Sequence, residues 1–300
     1  MSDPLLFVIV LSNNRKGDTL ACISSLLKSD YNNFKIILLD IELPGNTAQI
    51  LHQELPQVQI IPLAENLGYA GNNNIGIRAA MEQGAEWLLI LNDDTILDPS
   101  CLSSLVQVGE SDSEIGIVGP MVYHFEEPAV IQSAGGSLDR YWYGFHLGMN
   151  ETDQGQFSEA REVEWISGCA ILVRRTLIEQ VGVLDADYFL YWEELEWCIR
   201  AAHAGWRIFH VPHAKLWHKG VNRNYQPRPY VTYYMTRNYL RTLAKHKAPF
   251  WIRGFAIINI LRTLVSWSVK PRWSGKQDHR NAMWKGILDY VQHRSGPMLS

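Results

Sequence analysis

The chain has 300 residues, 47% of them hydrophobic and 19% charged, which is enough to bury a full core and excludes a disordered chain; the length allows one large domain or two small ones. Its net charge of −4 hides an asymmetry, because residues 237–300 carry 12 basic against two acidic side chains and the first 236 residues carry −14. Such a tail suits an anionic neighbour such as a membrane surface or a nucleic acid, while the four cysteines, with no CxxC among them, exclude a zinc knuckle or a disulfide framework and fit a reducing compartment.

Residues 5–11 form an apolar run with no basic region before it, short for a signal peptide, and read as the first strand of a cytosolic domain. Leu20, Ile23 and Leu27 recur at helical spacing. Residues 34–39, ending in Asp40, and 58–63 are strand candidates, with a short helix around residues 47–53 between them. Residues 70–83 read as a helix stopped by Gly84, and 87–91 as a fourth strand. Strands alternating with helices imply an α/β fold, a mostly parallel sheet covered on both faces. Ligands bind beyond the carboxyl ends of such strands, where Asp40 and the pair Asp93-Asp94 both fall, so one cleft could hold all three.

After Gly116 the pattern loosens, and hairpins with a mobile loop are expected over residues 120–162, with a turn at Gly135-Gly136. Residues 163–174 read as a strand with Gly168 inside it, 193–204 as a helix ended by Gly205, and 208–211 as a short strand. The tail crowds Tyr230, Tyr233, Tyr234 and Tyr239 around Arg237. Residues 250–269 approach the length of a membrane span, but Arg253 and Arg262 each cost roughly 2.5–3.5 kcal/mol at a bilayer centre. Asn259, Arg262, Thr263, Ser266 and Lys270 share one helical face and Ile257, Ile258, Leu261, Leu264 and Val265 the other. This amphipathic helix reads either as an interfacial membrane helix or as one packing on the domain or a second subunit, which would make a homo-oligomer.

Four clusters could carry chemistry. Asn92-Asp93-Asp94 ends a buried strand, and carboxylates there can grip Mg²⁺ or Mn²⁺, which take one or two carboxylates plus substrate phosphates; the plain alternative is a turn. Glu193 and Glu194 follow the aromatic run Tyr188–Trp192, whose dry wall would raise a carboxylate toward the range a general base needs, whereas Glu196 can pair with Arg200. His218 stands apart from His203, His210 and His213 without a metal spacing. Asn66–Asn74 places glycines and amides before a helix, suiting close backbone approach to an anion, and it is neither a P-loop nor a GxGxxG site.

Taken together, these segments resemble the family-two glycosyltransferases of GT-A fold, especially the rhamnosyltransferase-like branch. Ser12-Asn13-Asn14-Arg15 looks like the family's opening, with Asn13 where Tyr is usual. Asn66–Gly76 looks like its Asn-x-Gly-Phe-Ala-Gly-x-Asn block, Leu91–Asp94 like its DXD motif, and the stretch from Ser167-Gly168-Cys169-Ala170 through Tyr188–Arg200 to His218 is the longest match. Weaker echoes are Arg237-Asn238 and Lys285–Asp289. The resemblance implies a Rossmann-like glycosyltransferase domain over residues 1–220, its nucleotide-binding half about 1–115 and its acceptor half about 116–220, and a basic helical C-terminal extension over 221–300.

That resemblance also implies inverting transfer of a hexose, rhamnose-like by preference, from a dTDP- or UDP-linked donor to a glycan or lipid-linked acceptor in building cell-envelope polysaccharide. It assigns Ser12, Asn13, Arg15, Asp40, Asn66, Gly68, Gly71, Asn73 and Asp93 to the nucleotide, and Asp94, Asp93 and His218 to the divalent metal and diphosphate. Glu194, with Glu193 beside it, becomes the catalytic base, and Gly168, Tyr191 and Trp192 face the acceptor. Two departures stand out: Glu194 and Glu196 replace the usual Asp-x-Asp and reach one methylene further, and the segment after Asp40 keeps only the first acid of the family's nucleotide motif. The implied site is cytoplasmic, at the inner face of the membrane, and the mix of apolar face and basic flank suits lipid better than nucleic acid. Rivals are a catalytically silent sugar-nucleotide scaffold of the same fold and a sugar nucleotidyltransferase, which would want a glycine-rich triphosphate loop that residues 12–19 lack.

Overall fold

The computed structural model describes residues 3–12, 16–40, 56–220 and 223–299; Asn13, Arg15 and the helix expected around residues 47–53 lie outside them. In chain order the elements are β1 (Leu6–Ser12), α1 (Lys16–Leu26), β2 (Phe34–Asp40), β3 (Val58–Pro62), α2 (Gly68–Glu82), β4 (Trp87–Asn92), β5 (Thr95–Leu97) and α3 (Cys101–Glu110). There follow β6 (Ile115–His124), β7 (Ile131–Ser133), β8 (Gly136–Leu138), β9 (Gly144–His146), β10 (Arg161–Glu162), β11 (Ala170–Arg174), α4 (Arg175–Val181), α5 (Glu193–His203) and β12 (Arg207–His218). The chain closes with α6 (Pro229–Lys245), α7 (Phe250–Val269) and α8 (Gln277–Val291).

The main sheet runs β10-β12-β6-β11-β4-β1-β2-β3, with β5 on β12 and β7 on β6. The ladders of β1 with β2 and β4, of β2 with β3 and of β6 with β12 are parallel, and β11 enters antiparallel between β4 and β6. The apolar runs follow from burial on both faces. Phe7, Ile9, Ile37, Leu39 and Ile90 join the core with α2, α4 and α5, while Leu6, Val8, Val10, Leu38 and Leu89 join the core with α1 and α3. The registers Ser12–Asp40 and Leu11–Asn92 bring the carboxyl ends of β2, β1 and β4 to one edge.

Three expectations about elements are corrected. The strand expected at residues 208–211 extends to His218, because its register with β6 shifts between Val211 and Lys215. Pro212 lacks an N–H for the ladder and sits in that bulge, where proline is tolerated, so the proline bends the strand without ending it. The strand expected over residues 163–174 is continuous only from Ala170 onward in β11, with an isolated bridge from Trp165 to Gly136 before it, and Gly168 lies in the intervening turn, closed by Ala170 N–H donating to Ser167 O at 3.2 Å. The stretch that looks irregular after Gly116 begins with a fully buried ten-residue strand, β6. Its glycines are packing sites, since a Cβ at Gly119 would lie 2.2 Å from Ile166 and one at Gly116 2.4 Å from Leu177. The expected hairpin is present as β8–β9, and Gly135 turns with φ +81°.

The C-terminal helices share the sheet's core, into which Tyr239, Leu240, Leu243, Ile252 and Ala256 pack. α7 is docked only by a narrow strip. Ile252, Ala256 and Leu264 are buried, whereas Ile257, Ile258, Leu261, Val265 and Val269 are 46–68% exposed. Among the described residues it is the one helix long and apolar enough to cross a membrane.

Candidate active site

At the carboxyl edge of β1 and β4 opens a cleft of about 280 Å³ lined by Leu11, Asn66, Gly68, Tyr69, Asn72, Asn92, Asp93, Asp94, Phe189 and Leu190. A larger cavity of about 600 Å³ lies between α6, α7 and residues 139–143 and contains none of the site carboxylates discussed below. β4 ends at Asn92, whose N–H donates to Cys169 O at 2.9 Å. The turn bearing Gly168 and Cys169 is therefore fastened beside Asp93 and Asp94.

Asp93 and Asp94 point to different partners. Asp93 Oδ2 accepts from Thr19 Oγ1 at 2.9 Å, and Thr19 meets Ser12 Oγ at 3.1 Å, so the ends of β1 and β4 and the start of α1 are tied by hydroxyls. Asp94 Oδ1 lies 3.1 Å from His218 Nε2. His218 Nδ1 stands 2.8 Å from Gln132 Oε1. An amide oxygen accepts, so Nδ1 carries a hydrogen and Nε2 is the nitrogen that faces Asp94. A hydrogen on Nε2 or a metal cation between the two atoms makes an approach of 3.1 Å favourable.

That separation fits a divalent ion. Adjacent ligands of an octahedral Mg²⁺-like site at 2.0–2.1 Å stand about 3 Å apart, and the Gln132 contact is the kind of outer support that orients a metal-binding histidine. Gly220 closes the other side, where a Cβ would meet Asp94 Oδ2 at 2.7 Å and His218 Nε2 at 2.9 Å. Among the described residues no three His, Cys, Asp or Glu side chains form a closed metal cage. The donor set is an Asp–His pair that needs further oxygen ligands, which phosphates supply.

Across the turn, Gly168 touches Glu194: a Cβ there would lie 3.5 Å from Glu194 Cδ and Oε1. Tyr69 donates its hydroxyl to Gly168 O, so α2, the turn and α5 meet at one point. Burial raises Glu193 well above the usual carboxylate range, and the charge of Glu194 adds to the rise. Burial also raises Glu194, against backbone N–H groups at Glu194, Gly168 and Leu195 that favour its ionised form. Burial raises both carboxyls, and the backbone N–H groups around Glu194 oppose that rise at its own carboxylate. Oε2 of each has no hydrogen-bond partner among the described residues. Burial pushes the nearby Cys169 thiol up to about 12, and both Asp94 and Glu194 act in the same direction.

The aromatic loop before α5 is strained. Phe189, Tyr191 and Trp192 have φ of 64°, 64° and 79°, a region that costs a non-glycine residue about 1–3 kcal/mol. Trp192 is buried with its indole N–H lacking a partner among the described residues, and Tyr143 and Tyr239 pack on it with ring centres 5.6 and 5.1 Å away. Tyr191 is half-buried beside Tyr225 and Tyr230. Phe189 O accepts from Tyr69 N–H at 2.6 Å, so this loop closes one wall of the cleft.

The Asn66–Asn74 block serves the protein as much as any ligand. Asn66 Oδ1 accepts from Gly68 N–H at 2.9 Å and Asn72 Nδ2 at 3.1 Å, and Asn74 Nδ2 donates to Leu184 O at 2.8 Å. Gly68, at φ +77°, lets Phe189 O approach to where a Cβ would be 2.2 Å away, and a Cβ on Gly71 would strike Leu67 at 2.6 Å. Asn73 Nδ2 donates to Tyr69 O at 2.9 Å, while its buried Oδ1 has no partner among the described residues. Asp40 is buried at the same sheet edge, one strand beyond β1 from β4, and does not line the cleft among the described residues.

Glu196 belongs to a separate network. Burial alone would raise it, but His246, Arg200 and Lys245 hold it at about 2. Gln132 escapes the sequence reading as a site residue, and Asn92 enters it only within the Asn92–Asp94 triplet. Tyr69 is visible only as the aromatic of the Asn66–Gly71 block, and Gln132 sits in a three-residue strand with no local pattern.

Comparison with known proteins gives the family and the fold. A family model described as glycosyl transferase family 2 matches residues 7–182. The chain is 26% identical over 252 residues to an N-acetylglucosaminyl-diphospho-decaprenol L-rhamnosyltransferase of Mycobacterium tuberculosis, covering 77% of this chain and 81% of the relative. It is 24% identical over 245 residues to the dTDP-rhamnosyl transferase RfbF of Shigella flexneri, covering 78% and 80%. Among solved structures, GalNAc-T7 with UDP, GalNAc and Mn²⁺ superposes with a TM-score of 0.67 at 15% identity, over 98% of this chain and 58% of that one. At that identity the likeness shows the fold, which is GT-A.

Proposed function

The chain belongs to glycosyl transferase family 2, and from that premise we propose that it is an inverting hexosyltransferase. In this reading it moves rhamnose or a similar hexose from a dTDP- or UDP-linked donor to a hydroxyl of a glycan or lipid-linked acceptor, a step in polysaccharide assembly. The names of the relatives support the sugar and acceptor class. One observation carries the chemistry: Glu194 lies against Gly168 in the turn that Asn92 N–H, just before Asp93 and Asp94, fastens through Cys169 O.

Glu194 takes the proton of the acceptor hydroxyl as that oxygen attacks the anomeric carbon. The new glycosidic bond forms on one face of the sugar while the bond to the diphosphate breaks on the other, which inverts the centre. Glu193, raised by burial beside it, shares the buried site with Glu194, and Tyr69 holds the turn against Glu194 through Gly168. Asp94 and His218, with Asp93 beside them, would hold Mg²⁺ or Mn²⁺. A bound ion offsets charge growing on the departing diphosphate. Asn66, Gly68 and Asp93, which line the cleft, meet the nucleotide in this reading; Ser12, Asp40, Gly71 and Asn73 are assigned to it from around that edge, and Asn13 and Arg15, also assigned to it, lie outside the described residues. Gly168, Tyr191 and Trp192 form the acceptor wall.

The exposed apolar face of α7, flanked by Lys270, Arg272 and Lys276, lies in the interface of an anionic membrane, the inner face of the cytoplasmic membrane in this account. There it brings the cleft to a lipid-linked acceptor. The experiment is thermal unfolding with dTDP, UDP and GDP, each with and without Mn²⁺. Metal-dependent stabilisation by dTDP or UDP supports the proposal, and binding that ignores the metal, or no binding, contradicts it.

A further inference from the structure

We infer that Asn238, fixed by Arg237, is the positioning residue of this site: it clamps the strained loop before α5, which forms part of the cleft wall and leads into Glu193 and Glu194. The inference rests on Glu194 being the base. Asn238 lies in α6, outside the segment that the family model matches. Its Nδ2 stands 3.0, 2.9 and 2.8 Å from the carbonyl oxygens of Tyr188, Leu190 and Tyr191. One amide thus gathers three carbonyls of a tight loop that has no ladder to hold it. Its Oδ1 accepts from Arg237 Nε at 2.9 Å, which fixes which end of the amide faces the loop.

Arg237 adds to the clamp from the same helix. Its Nη2 donates to Tyr188 O at 2.8 Å, and its Nη1 donates to Tyr233 Oη at 3.0 Å and Gly296 O at 2.8 Å. Tyr233 passes its own hydroxyl hydrogen to Asp289 Oδ2 at 2.7 Å, so the buried guanidinium reaches a carboxylate through one hydroxyl. Both Arg237 and Asn238 are fully buried, which is costly for an arginine unless its donors are satisfied. Left-handed backbone at Phe189, Tyr191 and Trp192 persists only where the surroundings over-determine it, and this pair supplies that constraint. The loop's far side meets Tyr69 through Phe189 O, so releasing it disturbs the base and the cleft wall together.

The test uses the full chain with Asn238→Asp, which keeps the shape and the Arg237 bond but sets a carboxylate against three carbonyls, and Arg237→Lys as a milder second variant. Amide hydrogen exchange is followed over residues 187–196 and over β1 and β4. Turnover of dTDP-rhamnose with Mn²⁺ is measured beside it. The expected result is loop exchange at least about tenfold faster with β1 and β4 unchanged, and kcat lower by about 10²-fold, the scale of an ångström-level misplacement, at an unchanged donor KM. Loop exchange equal to that of the unsubstituted chain in a folded variant overturns the clamp. So does a loss of kcat that only tracks a loss of folded protein. Exchange needs no substrate, so it judges the clamp even if the unsubstituted chain turns over no nucleotide sugar, an outcome that would sink the proposed function instead.

Discussion

His218 Nε2 and Asp94 Oδ1 stand 3.1 Å apart, one at the end of β12 and the other just past β4. The contact exists because β12 passes its proline bulge and runs on to pair with β5, which returns the chain to the tip of β4. With Gln132 accepting from Nδ1, Nε2 and the carboxylate face each other as a pair of metal donors. Replacing Asp94 by Asn removes the carboxylate charge and His218 by Ala removes the imidazole donor, and either should abolish the Mn²⁺-dependent part of nucleotide stabilisation. Gln132→Leu, which removes only the outer support, should weaken metal affinity by about 10–100-fold. Titration of Mn²⁺ against the dTDP-bound chain, read by calorimetry, measures both, and unchanged affinity in Asp94→Asn would remove this pair from the metal site.

The buried pair Glu193 and Glu194 sets the sign of a pH effect. Both are raised in the fold by burial, so between the ordinary value of 4.5 and the raised values the folded chain holds more protons than the unfolded chain. Stability therefore falls as pH rises through that window. Glu193→Gln removes one of these groups. Its unfolding temperature should exceed that of the unsubstituted chain at pH 8, and the difference should vanish below pH 4.5. A constant difference across pH would contradict the burial reading.

Glu196 gives the opposite sign. Its value in the fold, about 2, lies below the ordinary 4.5, so its contribution is fully present above pH 4.5 and disappears as pH falls toward 2. The shift corresponds to roughly 3 kcal/mol. Glu196→Gln leaves Arg200, Lys245 and His246 without their shared partner, and loss of a buried pair's partner typically costs about 3–5 kcal/mol. Denaturant unfolding at pH 7 and pH 3 should show that cost shrinking at the lower pH.

α7 can be tested without touching the cleft. Ile258 and Val265 are 66% and 60% exposed on its apolar face, so Ile258→Glu with Val265→Glu should leave the unfolding temperature nearly unchanged. The same double variant should lose most sedimentation with vesicles containing phosphatidylglycerol. Equal sedimentation of both proteins, or equal binding to uncharged vesicles, would contradict the interfacial placement.

The parallel half of the sheet was legible because its strands are buried on both faces and therefore uniformly apolar, as at Leu6–Ser12 and Trp87–Asn92. The acidic ends of β2 and β4 and the start of α5 followed from that pattern. What stayed hidden depends on contacts distant in sequence. β6 carries Gly116, Gly119 and Pro120, which break any period, yet each glycine answers to a side chain from another element. Pro212 looks like the end of a strand when the bulge that accommodates it lies in the pairing with β6. The glycines of the Asn66–Gly71 block suggested backbone approach to a ligand, and part of their reason is instead Phe189 and Leu67. Arg237 and Asn238 were visible as a motif, but nothing local shows that they grip a loop some 50 residues earlier.

The central claim is that Glu194 removes the acceptor proton opposite a metal-held diphosphate. Its most direct test is the rate of dTDP-rhamnose turnover by Glu194→Gln in the presence of Mn²⁺, with dTDP affinity measured on the same preparation. The account predicts a loss of about 10²–10⁴-fold in kcat at nearly unchanged dTDP affinity. Turnover at the unsubstituted rate, from a variant that still binds dTDP, would contradict it.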